Sequence, residues 1–277
     1  MAAPTSASAA RAVGGGHPAG ATGPTTALAL LAWISLVLLL DADGSLWLQR
    51  GLGVLTWGLL ALVLRAEPSL VRVQTGVVVV LATAVEYTFS PLLEVYTYRF
   101  DNVPSYVPPG HGLVYLAALG LGRSALVRAH LRVCMAVVLV GGGAWAVHGV
   151  TVADRPDALG LFWFCCLAGF LFWGPSRPLY VGAFVVVSSL EVLGTALGNW
   201  EWQPQSPLGL MSIGNPPSGA AGGYGWFDLF ALLTAAPILA RWRRWRPGRQ
   251  SRRRDDRSRR LPPPASASSP SPSSSGK

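Results

Sequence analysis

The chain has 277 residues, of which 51% are hydrophobic and only 13% are charged. Soluble globular proteins carry about 25% charged residues, so this composition excludes an ordinary soluble domain and indicates a polytopic membrane protein. The net charge of +9 arises at one end of the chain, because residues 241–277 alone sum to +10. A basic tail without a basic face elsewhere does not indicate nucleic-acid binding, and we expect no nucleic-acid partner.

The two ends of the chain differ in composition from its centre. Residues 1–24 are mostly Ala, Gly, Ser, Thr and Pro, and they predict a disordered cytoplasmic leader. Residues 247–277 are rich in Arg, Ser and Pro, and they predict a disordered cytoplasmic tail. The chemistry of the protein is therefore expected between these segments.

Eight apolar segments follow the leader, each close to the roughly 17–25 residues that a bilayer demands. In lipid, every backbone polar group must bond within its own segment, so these segments predict helices. The predicted spans are approximately residues 26–41, 46–64, 70–90, 107–122, 130–149, 158–174, 179–198 and 224–240. The predicted fold class is thus all-α, a polytopic membrane helical bundle of about eight transmembrane helices.

The distribution of Arg predicts how this bundle is oriented, since cytoplasmic connections carry an excess of Lys and Arg. An Arg-rich tail in the cytoplasm and eight spans place both termini there. The predicted inner connections carry Arg65, Arg72, Arg123, Arg128, Arg132 and Arg177. Most Asp and Glu residues outside the tail fall on the outer side. With its Ala-, Gly- and Arg-rich composition, the chain is expected in a bacterial plasma membrane, with membrane lipid as a partner.

The two halves of the predicted bundle repeat the same features in the same order. The matched features are the carboxyls Glu86 and Glu191, the aromatic pairs Tyr96-x-Tyr98 and Trp200-x-Trp202, and the Pro-Pro pairs at 108–109 and 216–217. The two carboxyls are 105 residues apart, and the helices match at a similar offset. Because each half has an even number of spans, we predict two parallel four-helix repeats, residues 25–128 and 129–246.

Ionisable groups deep in apolar helices are costly, and they usually face the bundle interior or a cavity. Glu86 and Glu191 lie late in their helices, Asp228 about one turn into the last helix, and His111 at the start of the fourth. We predict these four as catalytic residues, with one carboxyl kept protonated as a general acid and His111 assisting. The alternative is that both glutamates only bond the irregular loops beside them.

A metal site is an alternative role for the same four residues. Glu86, Glu191, His111 and Asp228 offer suitable ligand atoms, but no signature such as His-x-x-x-His supports a metal. We therefore predict no metal and no cofactor.

The connections after the third and seventh spans are long, about 16 and 25 residues, where 2–8 are common. Their Pro-Pro pairs and glycines predict an ordered, cap-like or re-entrant backbone. Their aromatic residues indicate either an interfacial belt or a pocket whose π faces would stabilise a carbocation. Arg99 is expected to pair with Asp101 or to hold an anionic head group. The predicted substrate-binding residues are Tyr96, Tyr98, Arg99, Asn102, Trp200, Trp202, Asn215 and Tyr224.

The stretches "EVLGTALGNWEW" and "EYTFSPLLEVYTYRF…VP" resemble a pattern of carotenoid-biosynthesis membrane proteins. That pattern is Glu, then Gly or Ser, then aromatic-x-aromatic and Val-Pro, as in carotenoid hydratases and, more remotely, small membrane lycopene cyclases. These families are polytopic and protonate polyene double bonds with acidic residues. The resemblance covers two short stretches, without the "PPGHG" and "NPPSG" loops. It implies that Glu86 and Glu191 act as acids and that the substrate is a long isoprenoid.

Three functions follow from these patterns. The first is an enzyme with an outward-facing polar site that uses acid–base chemistry on an isoprenoid or other lipid. The second is a transporter or permease for a small or lipid-like substrate, for which repeats with carboxyls at their interface are typical. The third is a non-catalytic membrane scaffold. The inner halves of the third and seventh spans carry only Gln74 as a strongly polar group, which favours the enzyme over a transmembrane path.

Overall fold

The computed structural model describes residues 22–245. The predicted leader up to residue 21 and the predicted tail from residue 246 lie outside the described residues. The helices are α1 (Pro24–Ala42), α2 (Leu46–Ala66), α3 (Ser69–Tyr87), α4 (Val107–Gly122), α5 (Ala125–Ala129), α6 (Leu131–Thr151), α7 (Ala158–Trp173), α8 (Arg177–Ala196) and α9 (Ala220–Arg244). A π-helical turn, Thr88–Leu92, extends α3, and the strands are β1 (Tyr96–Tyr98) and β2 (Trp200–Trp202). The all-α expectation is confirmed for this part of the chain.

Among residues 22–245, six helices are long and apolar enough to cross a membrane, as the composition predicts. They are α1, α2, α3 with its π-helical turn, α6, α8 and α9. Each of the eight predicted segments is helical, but α4 and α7 have only 16 residues each. At 1.5 Å per residue they are about 24 Å long, shorter than a typical hydrocarbon core of about 30 Å. Eight spans therefore remain a prediction.

Local sequence explains where several helices begin. Ser45 and Asp157 accept backbone N–H bonds from Leu48 and Gly160 and so cap α2 and α7. The pair Pro108-Pro109 occupies the first turn of α4, where a missing N–H is tolerated. The predicted loop prolines are thus the start of a helix.

Helix α4 is the centre of the bundle. Thirteen of its sixteen residues are buried, as expected for a helix that is apolar all round. It packs against α1, α3 and α8. Gly182 of α8 allows the close approach, since a Cβ there would lie 2.2 Å from the Ala118 carbonyl oxygen of α4. This packing places α4, which carries His111, in the interior of the bundle.

The strands β1 and β2 form a two-stranded antiparallel ribbon, which the sequence analysis did not predict. Tyr96 pairs with Trp202, Thr97 with Glu201, and Tyr98 with Trp200. The ribbon joins the two aromatic-x-aromatic stretches and marks one end of the bundle, called here the ribbon end.

At the opposite end of the bundle, a buried carboxylate ties three segments together. Glu67 follows α2 and accepts bonds from the backbone N–H of Thr22, at 2.7 Å, and from its hydroxyl. Arg123, just after α4, lies 3.9 Å from the same carboxylate. These contacts place the start of α1 and the ends of α2 and α4 together.

The described residues divide into two compact units, one up to residue 236 and one from residue 237. The second unit is described only as the last part of α9, from Pro237, and Trp245. Its last helical turn carries Arg241, Arg243 and Arg244. The cavity described next belongs to the first unit.

Candidate functional site

A cavity of about 280 Å³ lies beside the ribbon and within the bundle. Its size is close to the lower limit of known small-ligand sites, which are about 300–1,000 Å³. Its walls come from α1 to α4, α7 to α9 and both strands, so both halves of the chain contribute. Most of the walls are apolar and aromatic. The ionisable residues on the walls are Glu86, Tyr96, Tyr98, Tyr106, His111, Glu191 and Tyr224.

Glu86 and His111 form a buried pair on this wall. His111 Nε2 lies 2.8 Å from Glu86 Oε1, and both residues are almost fully buried. The phenols of Tyr96 and Tyr98 donate to the other oxygen, Glu86 Oε2, at 2.9 and 2.7 Å. One proton can therefore lie on either member of the pair while the two phenols hold the carboxyl in place.

The hydroxyls of these two tyrosines are committed donors. Burial, and then the neighbouring Glu86, raises the pKa of Tyr96 and Tyr98 well above the ordinary value of 10.0. Both phenols therefore stay protonated at neutral pH and orient Glu86.

Glu191 has the same relation to the second strand. The indole Nε1–H groups of Trp200 and Trp202 donate to Glu191 Oε2 at 3.1 and 3.2 Å. The other oxygen, Oε1, accepts no hydrogen bond from the described residues, and Glu191 lines the cavity. Each strand of the ribbon thus holds one carboxyl of the cavity through two aromatic donors, an arrangement that the sequence analysis considered only as the alternative in which the glutamates bond the loops beside them.

Helix α9 covers the other side of His111. The ring of Tyr224 stacks on the imidazole at a centroid distance of 5.0 Å, and the ring of Phe227 meets it edge-on at 5.9 Å. Asp228 follows on the same helix but does not line the main cavity. It borders a second, smaller cavity that His111 also lines.

Three predicted substrate-binding residues support loops outside the cavity wall. Arg99 Nη2 donates to the Gly44 carbonyl at 2.5 Å and to that of Asp41, and it lies 3.7 Å from Asp41 Oδ1. The expected pairing of Arg99 with Asp101 is therefore wrong. Asn102 Nδ2 donates to Gln49 Oε1 at 2.9 Å. Asn215 Oδ1 accepts the backbone N–H of Trp202 at 3.1 Å, which holds the ribbon to the following loop.

The sequence analysis missed two buried carboxylates at the ribbon end. Asp41 accepts bonds from the Tyr106 hydroxyl at 2.8 Å and from Gln49 Nε2 at 3.1 Å. Asp157 accepts bonds from the backbone N–H groups of Gly160, Gly214 and Ser218 and from the Ser218 hydroxyl. Asp41 lies at the end of α1 and bonds Tyr106, just before α4. Asp157 lies just before α7 and bonds Gly214 and Ser218, shortly before α9. Asp41 and Asp157 occupy equivalent positions in the two halves of the sequence, and this equivalence is the signal by which they could have been found.

Metal binding finds no support in the arrangement of these groups. Within residues 22–245, no three His, Cys, Asp or Glu side chains are placed to hold a metal ion together. The donors to Glu86 Oε2 and Glu191 Oε2 are phenols and indoles, which orient carboxyls and do not replace metal ligands.

The chemistry of this site must be argued from its own residues. Comparison of the chain with models of known protein families, with curated proteins and with solved structures finds no match.

Proposed function

We propose that this chain is a membrane-embedded enzyme that binds an isoprenoid or other lipid and acts on it by acid–base chemistry. The observation that carries the proposal is the position of Glu86, paired with His111, and of Glu191 on the wall of one apolar, aromatic cavity. Carboxyls are costly in such surroundings, and a catalytic role accounts for their presence. The resemblance to carotenoid-biosynthesis proteins points to the same class of substrate.

The walls of the cavity favour a hydrocarbon. They include Ile34, Val37 and Leu38 of α1, while Trp163 of α7 and Trp226 of α9 add indole rings. Trp226 is also 43% exposed on the surface of the bundle, so this wall is in reach of the acyl chains of a bilayer. A lipid would enter sideways from the membrane without crossing water.

The reaction that these groups support is proton transfer to and from carbon. Glu86, in its protonated form, adds its proton to one carbon of a double bond. The π faces of the aromatic walls stabilise the resulting carbocation. The free Oε1 of Glu191 then removes a proton from a neighbouring carbon, and the protonation states of the two carboxyls are exchanged. The substrate is isomerised or cyclised, and no further reactant is consumed.

We also propose the finer architecture predicted from the sequence. The two four-helix repeats are supported by the ribbon register, which is the register that a two-fold axis through Thr97 and Glu201 would produce. The equivalent partners of Glu86 and Glu191 support the same axis. In this proposal α4 and α7 also span, both termini lie in the bacterial cytoplasm, and the ribbon end faces outwards.

Lipid extraction from the purified protein, followed by mass spectrometry, tests the proposed function. The wild type should retain an isoprenoid or lipid-linked species, and Glu86→Gln combined with Glu191→Gln should change the ratio of substrate to product. The matched control is Asp154→Asn, which removes an exposed carboxyl. Only bulk phospholipid, at the same composition in all three proteins, would contradict the proposal.

A transporter is the second candidate, because the cavity is built from both halves, as in transporters with internal repeats. Proton-linked uptake of a solute into vesicles that contain the purified chain would favour it. A non-catalytic scaffold would show neither uptake nor turnover, so turnover by the purified chain alone would exclude it.

A further inference from the structure

Two side chains that line the smaller cavity have polar atoms without a hydrogen-bond partner among the described residues. His111 Nδ1 is buried without a partner, and the carboxyl of Asp228, which is 5% exposed, makes no hydrogen bond to a described residue. Native proteins satisfy nearly all buried polar groups, and ordered water supplies many of the missing partners. Unpartnered groups on neighbouring side chains therefore point to a bound water.

His111 and Asp228 both line this smaller cavity. Its volume is about 10 Å³, close to that of one bound water. Its polar lining comes from His111 and Tyr115 of α4 and from Tyr224 and Asp228 of α9. Small aliphatic residues of α3, α4 and α8 and the ring of Phe227 close the remaining walls, so among the described residues the polar side chains are the partners for a water there.

His111 lines both cavities, as do Val114, Tyr224 and Phe227. On the main-cavity side, Nε2 meets Glu86 Oε1 at 2.8 Å. Nδ1 lies across the ring from Nε2, and it is the buried nitrogen without a partner. An imidazole in this position can accept a proton at one nitrogen and release one at the other.

We propose that an ordered water in the small cavity joins Asp228 to His111 Nδ1, and that Asp228 is the proton reservoir for Glu86. An ionised carboxylate without a cation or a donor is costly at this depth, so the acid form suits Asp228 at rest. Asp228 gives its proton to the water, and the water gives one to Nδ1. Nε2 then releases its proton to the Glu86 carboxylate. One proton moves in total: Asp228 ends as the carboxylate and Glu86 as the acid, while the imidazole loses a proton at Nε2 and gains one at Nδ1. After Glu86 has given its proton to carbon, Glu191 holds the proton removed from the substrate, and the return of that proton to Asp228 restores the resting state.

The role of Asp228 rests on the proposed function, but the water site does not. The site is tested in the resting protein by magic-angle-spinning NMR of lipid-embedded chain with ¹⁵N-labelled histidine. The chain has four histidines, and the signals that disappear in His111→Gln belong to His111. We expect magnetisation to transfer from a slowly exchanging water to His111 Nδ1.

Two variants of Asp228 distinguish binding of the water from transfer of the proton. Asp228→Leu replaces the carboxyl by an apolar side chain and should abolish the transfer, whereas Asp228→Asn should keep the water and slow proton exchange at His111. Ala183→Val narrows the small cavity without changing a titratable group, so it should also abolish the transfer. Asp154→Asn is the control and should match the wild type.

The outcomes that overturn the proposal are independent of any substrate. Absence of water transfer to Nδ1 in the wild type would exclude the water site. A wild-type spectrum in both Asp228→Leu and Ala183→Val would do the same, and unchanged exchange in Asp228→Asn would exclude the reservoir. Failure of the enzyme proposal would instead appear as a bound water without turnover.

Discussion

At the scale of single residues, the site consists of two carboxyls in unequal settings. Glu86 contacts two phenols and an imidazole, and Glu191 contacts two indoles and keeps one oxygen free for the cavity. Pairs of titratable groups in different environments are how enzymes obtain an acid and a base from the same residue type. In the proposed reaction Glu86 has the acid role because His111 contacts it and can deliver a proton to it. Glu191 has the base role because its Oε1 accepts no hydrogen bond from the described residues and the residue lines the cavity.

Tyr98→Phe tests whether the phenols hold Glu86. The ring remains, but the 2.7 Å donor to Glu86 Oε2 is lost, and we expect the free energy of unfolding to fall by about 1–3 kcal/mol. Thermal unfolding in detergent measures the change. Tyr87→Phe is the control, because Tyr87 is exposed and should tolerate the substitution. Equal stability of the two variants would show that the bond contributes nothing.

At the scale of helices and strands, the hydrophobicity of the sequence predicted where the helices lie but not which residues contact one another. Apolar length alone located α4 at residues 107–122, because transfer into lipid depends on composition. The ribbon register, and the roles of Asp41 and Asp157, depend on residues far apart in sequence, which a single sequence does not pair. The grouping of Glu86 with His111 was predicted, whereas the separate setting of Asp228 was not.

Gly182→Ala tests the approach of α4 and α8. The new methyl group would lie 2.2 Å from the Ala118 carbonyl oxygen, so the two helices must move apart. We expect a loss of about 1–3 kcal/mol in the free energy of unfolding, as for other overpacked interiors. Gly169→Ala on α7 meets nothing within 4 Å and should be neutral or slightly stabilising. Similar melting temperatures for the two variants would contradict the packing account.

At the scale of the whole molecule, the proposed orientation places the ribbon, the carboxyls and the cavity near the outer leaflet. Leu208, in the loop between β2 and α9, is 81% exposed at the ribbon end, and Leu126 in α5 is 68% exposed at the opposite end. Each can carry a single cysteine after Cys134, Cys165 and Cys166 are replaced by alanine.

Cysteine labelling in intact cells then tests this orientation. An impermeant thiol reagent should label Leu208→Cys and leave Leu126→Cys unmodified until the membrane is opened. This labelling pattern is expected because the basic connections between helices lie on the cytoplasmic side. The reverse pattern would place the ribbon end in the cytoplasm and refute the orientation.

In the proposed reaction Glu86 protonates a carbon of the substrate within the apolar cavity. Incubation of the purified protein in D₂O with the lipid that it retains, followed by mass spectrometry of the product, measures this step. We expect one carbon-bound deuterium per turnover in the wild type. In Glu86→Gln we expect a rate at least about 100-fold lower, since positioned acids typically contribute 10²–10⁴-fold. Product without deuterium, or equal rates in the two proteins, would exclude Glu86 as the acid.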